Sequence, residues 1–228
     1  MILLILGCGR SGTHLLADVL RGPDTEVYAE DPRWFPLALA AVRNEVKQSK
    51  YLPKIADYYA REDERLIYQK KTFVDKTHVA ALFYERLQSF LWPRVVKNIW
   101  IERDPLAAIA SMKMHLGMRC DLQYARCFSV PNRFLGIYGE EWFGLSNVQR
   151  FAHKWLSYRQ RYEELQRSRL INLFVRYEDL VKYPEPTIRT IEKKFGIRCS
   201  RPEMKLDSLT KWAGILTQEE VGEIKEIV

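Results

Sequence analysis

Residues 2–13 read Ile2-Leu3-Leu4-Ile5-Leu6-Gly7-Cys8-Gly9-Arg10-Ser11-Gly12-Thr13, a continuous apolar run that breaks into a glycine-rich stretch. Five consecutive apolar residues suit a parallel strand covered on both faces. Beyond Gly12, the residues Leu15, Leu16, Val19 and Leu20 recur at helical spacing until Gly22-Pro23 stops the pattern. The order is therefore strand, glycine loop, helix. Glycines permit tight turns, so successive N–H groups at Gly7–Gly12 can face a phosphate beside the helix N-terminus. A kinase-type loop continues with Lys and then Ser or Thr, which handle the terminal phosphates and magnesium. Thr13 and His14 stand in those two places, which counts against ATP chemistry. The plainer reading is a strand-to-helix turn with no ligand.

Working outward, a second apolar strand is expected around Leu66–Val74, interrupted by Gln69, Lys70 and Lys71, and a helix over Val79–Leu91. Val95–Ile101 predicts another strand. After it, Asp104 can cap and Pro105 can open a helix running towards Met114. Residues 117–146 break the pattern with Pro131, several glycines and many aromatics, as a lid or substrate loop does, or an aromatic patch closing a core. Val148–Leu165 predicts a helix with Phe151, Trp155, Tyr158 and Tyr162 on roughly one face. Ile171–Val175 reads as a strand, and Thr187–Phe195 as a helix ended by Gly196. Repeated strands and helices make an α/β doubly wound sheet the expected architecture. Residues 1–228 form a single domain in this reading.

Composition sets limits. The chain has 228 residues, 47% of them apolar and 29% charged, which is ordinary for a globular protein. The +7 formal charge suits an anionic ligand without choosing among kinds. The acids dispersed among those bases, and the lack of a recognition motif, argue against nucleic acid. Cys8, Cys120, Cys127 and Cys199 form no CxxC pair and have no close histidine, so no metal site is expected. Cys120 and Cys127 either pair or, the better expectation, stay reduced. The short N-terminal run is neither a signal peptide nor an integral membrane segment, and cytoplasmic residence is expected.

Gly9-Arg10-Ser11-Gly12-Thr13 resembles the 5′-phosphosulfate loop of sulfotransferases that use 3′-phosphoadenosine 5′-phosphosulfate (PAPS). Trp100–Ser111 resembles the same family's 3′-phosphate motif, with Arg103 at the strand end, Pro105 opening a helix and Ser111 about two turns along it. Val175–Val181 resembles a common downstream segment. Tyr28–Arg33 and Leu206–Gly214 resemble stretches of the tyrosylprotein sulfotransferase-like branch. This resemblance implies a P-loop-like three-layer α/β fold with a central, mostly parallel sheet flanked by helices, and no metal.

The same resemblance assigns roles. Arg10, Ser11, Gly12, Thr13 and His14 would hold the donor's 5′ side, and Arg103 and Ser111 its 3′-phosphate. Tyr177, Lys211 and Trp212 would close the nucleotide pocket, although core packing for Trp212 and a solvent-facing Lys211 are equally open. Glu30 would be the base that takes the acceptor proton, its pKa raised by burial. Lys76, in Val74-Asp75-Lys76-Thr77-His78, would stabilise the bridging oxygen. His14 and His78 are alternative bases, since small-molecule sulfotransferases use histidine. The expected reaction is in-line sulfuryl transfer from PAPS to the hydroxyl of a carbohydrate, phenol or peptide tyrosine, releasing 3′-phosphoadenosine 5′-phosphate (PAP). The alternatives are a P-loop kinase-like phosphotransferase and a catalytically inactive nucleotide-binding protein.

Overall fold

The computed structural model describes residues 1–42, 45–116 and 144–228. Five parallel strands form one sheet: β1 (Ile2–Leu6), β2 (Thr25–Ala29), β3 (Thr72–Lys76), β4 (Val96–Glu102) and β5 (Leu173–Arg176), in the order β2-β3-β1-β4-β5. β1 lies at the centre with all five residues buried, which explains its unbroken apolar composition. Its alternation splits the core in two. Ile2, Leu4 and Leu6 join the layer of Trp34, Ile55, Tyr59 and Leu87 on one face. Leu3 and Ile5 join Leu16, Val19, Ile188 and Ile191 on the other. The α/β three-layer expectation holds.

The helices follow from their end signals. α1 (Thr13–Leu20) begins directly at the loop. α2 (Phe35–Ala41) and α3 (Glu45–Tyr68) cover one face, and α4 (Tyr84–Leu91) precedes β4. α5 (Pro105–Leu116) starts where expected, with Asp104 Oδ1 accepting from the Ala107 N–H at 3.1 Å. α6 (Asn147–Arg167) opens on a capping box of Ser146 and Gln149. α7 (Tyr177–Lys182) and α8 (Pro184–Phe195) follow β5, and Gly196 ends α8 in the left-handed region at φ 66°. α9 (Gln218–Ile227) packs with α5 and α6 around Ile109, Val148 and Ile224.

Two expectations need correction. Leu66–Tyr68 is the last turn of α3, not strand, and the strand itself is Thr72–Lys76. Gln69–Lys71 is the helix stop: the Lys71 N–H donates to the Leu66 carbonyl and Lys70 takes φ 54°. The stretch Val79–Leu91 is a 3-10 turn over His78–Phe83 before α4 begins. β2, and α3 before Leu66, carry no sequence expectation. The expected lid and the Cys120–Cys127 question lie in 117–143, outside the described residues. Among the described residues, Cys8 and Cys199 are free thiols.

Candidate active site

In an open parallel sheet, ligands bind beyond the carboxyl ends of the strands where the strand order reverses. Here β1 is that point. Its chain leads to β2 and β3 on one side, while β4 and β5 lie on the other. The ends of β1, β2, β3 and β4 carry the loop, Glu30, Lys76 and Arg103 in turn.

The loop is built to present backbone donors. Arg10 sits at φ 72° and Gly12 at φ 92°, and Gly12 is the N-cap of α1 with no side chain capping the helix. The first N–H groups of α1 are thus left to an anion. Gly7 allows the chain to pass β4, since a Cβ there would sit 2.3 Å from the Ile101 carbonyl oxygen. Arg10 Nε donates to Ser111 Oγ at 3.1 Å, so the loop and α5 are already in contact.

A second cluster lies beside the first. The Arg103 guanidinium stacks 4.5 Å from the centre of the Tyr177 ring and donates to the Ser208 carbonyl. The Tyr177 hydroxyl is 2.8 Å from Ser208 Oγ. Trp155 Nε1 donates to the Arg103 carbonyl at 3.1 Å, fixing the end of β4 against α6. Lys211 and Trp212 occupy a 3-10 turn (Lys211–Gly214). Trp212 packs half-buried in the Ile109 cluster, and Lys211 is exposed.

The charged centre is at the ends of β2 and β3. Ala29 pairs with Lys76, and the Glu30 N–H donates to the Lys76 carbonyl at 3.2 Å. Lys76, only 1% exposed, places Nζ 2.5 Å from Glu30 Oε1 and 2.8 Å from His14 Nε2. His78 Nδ1 is 3.2 Å from the same Glu30 oxygen. Glu30 holds φ 54°, an unfavourable conformation for a non-glycine residue, of the sort concentrated at functional sites. Behind Lys76, the buried Asp75 accepts from Trp34 Nε1 at 3.0 Å, Tyr59 OH at 2.5 Å and Thr77 Oγ1 at 3.2 Å. That network locks the turn carrying Lys76 and His78.

The electrostatics differ from the sequence expectation at Glu30. Its carboxyl is pulled down to about 2 by the hydrogen bond with His78 and by Lys76, which outweigh burial. Burial lowers Lys76 from the ordinary lysine value, against the pull of Glu30. Burial also lowers His78, to about 4, so its ring is neutral, and Nδ1–H donates to the carboxylate.

These groups border a cavity of about 190 Å³. Gly9, Arg10 and His14 form one wall, Glu30, Lys76 and His78 the next, and Met112, Phe151 and Lys154 the side offered by α5 and α6. Three buried side-chain atoms around the loop lack a hydrogen-bond partner: Ser11 Oγ, Arg103 Nε and His78 Nε2. A buried polar atom without a partner costs about 1–3 kcal/mol, so Ser11 Oγ and Arg103 Nε are points where an anion's oxygens would be gained, and His78 Nε2, a lone-pair acceptor, is one where a hydroxyl would be. Ser11 and Arg103 fit a phosphate-bearing ligand.

The structure therefore brings Arg10, Ser11, Gly12, Thr13, His14, Glu30 and Lys76 together at one end of the sheet. Arg103, Ser111 and Tyr177 adjoin them, while Lys211 and Trp212 do not line the cavity. Sequence reasoning missed Lys154 and Ser208. No group of three His, Cys, Asp or Glu side chains suited to a metal occurs among the described residues. No described helix is long and apolar enough to cross a membrane.

Solved structures share this fold at low identity. The sulfotransferase domain of the Synechococcus PCC 7002 olefin synthase is 17% identical with a TM-score of 0.61, the match covering 99% of this chain and 93% of that one. The sulfotransferase domain from the curacin biosynthetic pathway is 15% identical with a TM-score of 0.57, covering 99% and 96%. A sulfotransferase from Alicyclobacillus acidocaldarius is 15% identical with a TM-score of 0.51, covering 98% and 94%. No curated protein sequence matches the chain. The sulfotransferase domain model matches residues 2–213, nearly the whole chain, and by that match the protein belongs to the sulfotransferase family.

Proposed function

We propose that residues 1–228 act as one catalytic domain that transfers a sulfuryl group from PAPS to a hydroxyl acceptor by in-line displacement. The observation carrying this reading is the Glu30–Lys76–His14 cluster, 2.5 and 2.8 Å apart, beside a loop whose N–H groups suit a phosphate. Backbone amides of the loop, with Arg10, Ser11 and Thr13, hold the 5′-phosphosulfate. Arg103 and Ser111 hold the 3′-phosphate, and Tyr177 stacks between the two halves. Lys211 and Trp212 would join by closing over the nucleotide. The metal-free reaction is consistent with this all-protein set of cations.

The acceptor hydroxyl gives its proton to the Glu30 carboxylate as its oxygen forms a bond to sulfur. The bond from sulfur to the bridging oxygen breaks, and its electron pair leaves on PAP. Lys76 stabilises that developing charge. With a pKa of about 2, Glu30 is a weak base while Lys76 sits on it. Once Lys76 turns to the bridging oxygen, the carboxylate loses its counter-charge and its basicity rises. His78 orients Glu30 through Nδ1, and its Nε2 is the alternative acceptor of the proton. The likeness of Tyr28–Arg33 to the tyrosylprotein branch supports Glu30. Phe151 and Met112 give the cavity an apolar wall, which favours the phenol or peptide tyrosine over the carbohydrate. We place the reaction in the cytoplasm, where the free Cys8 and Cys199 thiols stay reduced.

The test is transfer from labelled PAPS into a panel of carbohydrates, phenols and acidic tyrosine peptides. Wild type should label at least one class, and Glu30→Ala and Lys76→Ala should lose about 10²-fold or more. PAP binding without transfer to any acceptor would instead describe an inactive nucleotide-binding protein.

A further inference from the structure

Lys154 is 5% exposed, yet it belongs to α6, a helix otherwise rich in solvated charges. Lysine is almost never buried this deeply without a reason, because removing an ammonium from water is costly. Its side chain is directed by two anchors on α6. The capping box at Ser146 fixes the start of the helix, and Trp155, the next residue, is pinned to the Arg103 carbonyl. Lys154 consequently reaches the cavity between the loop and His78. A Cβ on Gly9 would lie 3.6 Å from Lys154 Nζ and 3.6 Å from His78 Nε2. His78 Nε2 is itself buried and lacks a partner, an independent sign that this corner receives a hydrogen-bond donor such as the acceptor hydroxyl, next to which the sulfuryl group must lie.

Two further cations border the cavity. Lys76 is paired with Glu30, and Arg10 is turned to Ser111. Lys154 stands on the wall made by Gly9 and His78. We propose that Lys154 is a further catalytic residue, holding the non-bridging oxygens of the sulfuryl group as it passes from the bridging oxygen to the acceptor. This rests on the PAPS reading above. The atom balance is that of the displacement already described: Lys154 forms and breaks no covalent bond, and although burial lowers its pKa, the sulfuryl oxygens draw it to the ammonium form.

PAP lacks the sulfuryl group, which separates this role from a structural one. Lys154→Met, which keeps the apolar stem, should lower the transfer rate at saturating PAPS about 100-fold. PAP should still raise its melting temperature as it does that of wild type. Lys154→Arg, which keeps the charge, should retain more transfer than Lys154→Met. Transfer by Lys154→Met within threefold of wild type would overturn the proposal. So would parallel loss of PAP protection and transfer, which marks a lysine needed only for folding. Failure of wild type itself to gain stability from PAP would remove the donor reading and this inference with it.

Discussion

A side chain on Gly12 would put its Cβ 2.2 Å from Cδ2 of Tyr177, because the first residue of α7 lays its ring on the turn that ends the loop. The same ring carries the Arg103 guanidinium at 4.5 Å. One aromatic plate therefore joins the loop to the end of β4, and the two are mechanically one unit.

Gly12→Ala should therefore damage the site in two ways. Alanine at φ 92° costs about 1–2 kcal/mol, and the overlap with Tyr177 adds about 1–3 kcal/mol. Urea denaturation should show a loss of about 2–5 kcal/mol. In the double variant Gly12→Ala/Tyr177→Ala, the steric part should vanish, leaving the two effects less than additive by about 1 kcal/mol or more. Strict additivity would mean that the ring and the glycine are not coupled.

In the proposed reaction, Lys76 sets the alkaline side of the pH profile. Burial lowers its pKa below the ordinary 10.5, and only the ammonium can stabilise the leaving oxygen. Activity should thus fall at a lower pH than an ordinary lysine would give, and Lys76→Arg should move that limb upward in whatever activity remains. On the acid side, Glu30 and His78 are already unprotonated above about 2 and about 4. The free-enzyme kcat/KM should show no acid limb from either group above about pH 5. An acid limb above about pH 5 that persists in Lys76→Arg would take the base away from Glu30 and assign it to His14, which burial lowers from the ordinary histidine value.

What the sequence made legible was whatever short-range chemistry decides. β1 announces itself by five apolar residues, and the Asp104–Pro105 pair and Gly196 mark helix ends through local capping geometry. The loop's backbone shape was legible because glycine spacing has a conformational meaning. By contrast, β2 is an edge strand, mostly half-buried, and Thr25–Ala29 shows no strong apolar signal. Leu66–Tyr68 looks β-prone, yet Ile67 and Tyr68 are exposed on the last turn of α3, where tertiary context overrides propensity. Lys154 sits in a helix full of charges, and nothing local separates a buried lysine from its solvated neighbours. The expected rise in the Glu30 pKa failed for a similar reason. Burial was foreseeable, but the closeness of Lys76 and His78 depends on β2–β3 pairing across more than forty residues of intervening chain.

Arg103 offers the sharpest test of donor choice. Its Nη2 is held by the Ser208 carbonyl and its plane by Tyr177, which leaves the buried Nε unpartnered. A guanidinium fixed in this way is preorganised for a phosphate, and charge-assisted hydrogen bonds of that kind are worth about 1.5–3 kcal/mol. The 3′-phosphate distinguishes PAP from adenosine 5′-monophosphate, so wild type should bind PAP more tightly by calorimetry. Arg103→Met should weaken PAP by about 10–100-fold while changing adenosine monophosphate little, because the loop still holds the 5′-phosphate. Equal weakening of both nucleotides would show that Arg103 shapes the pocket as a whole. An unchanged PAP affinity would place the 3′-phosphate on other residues.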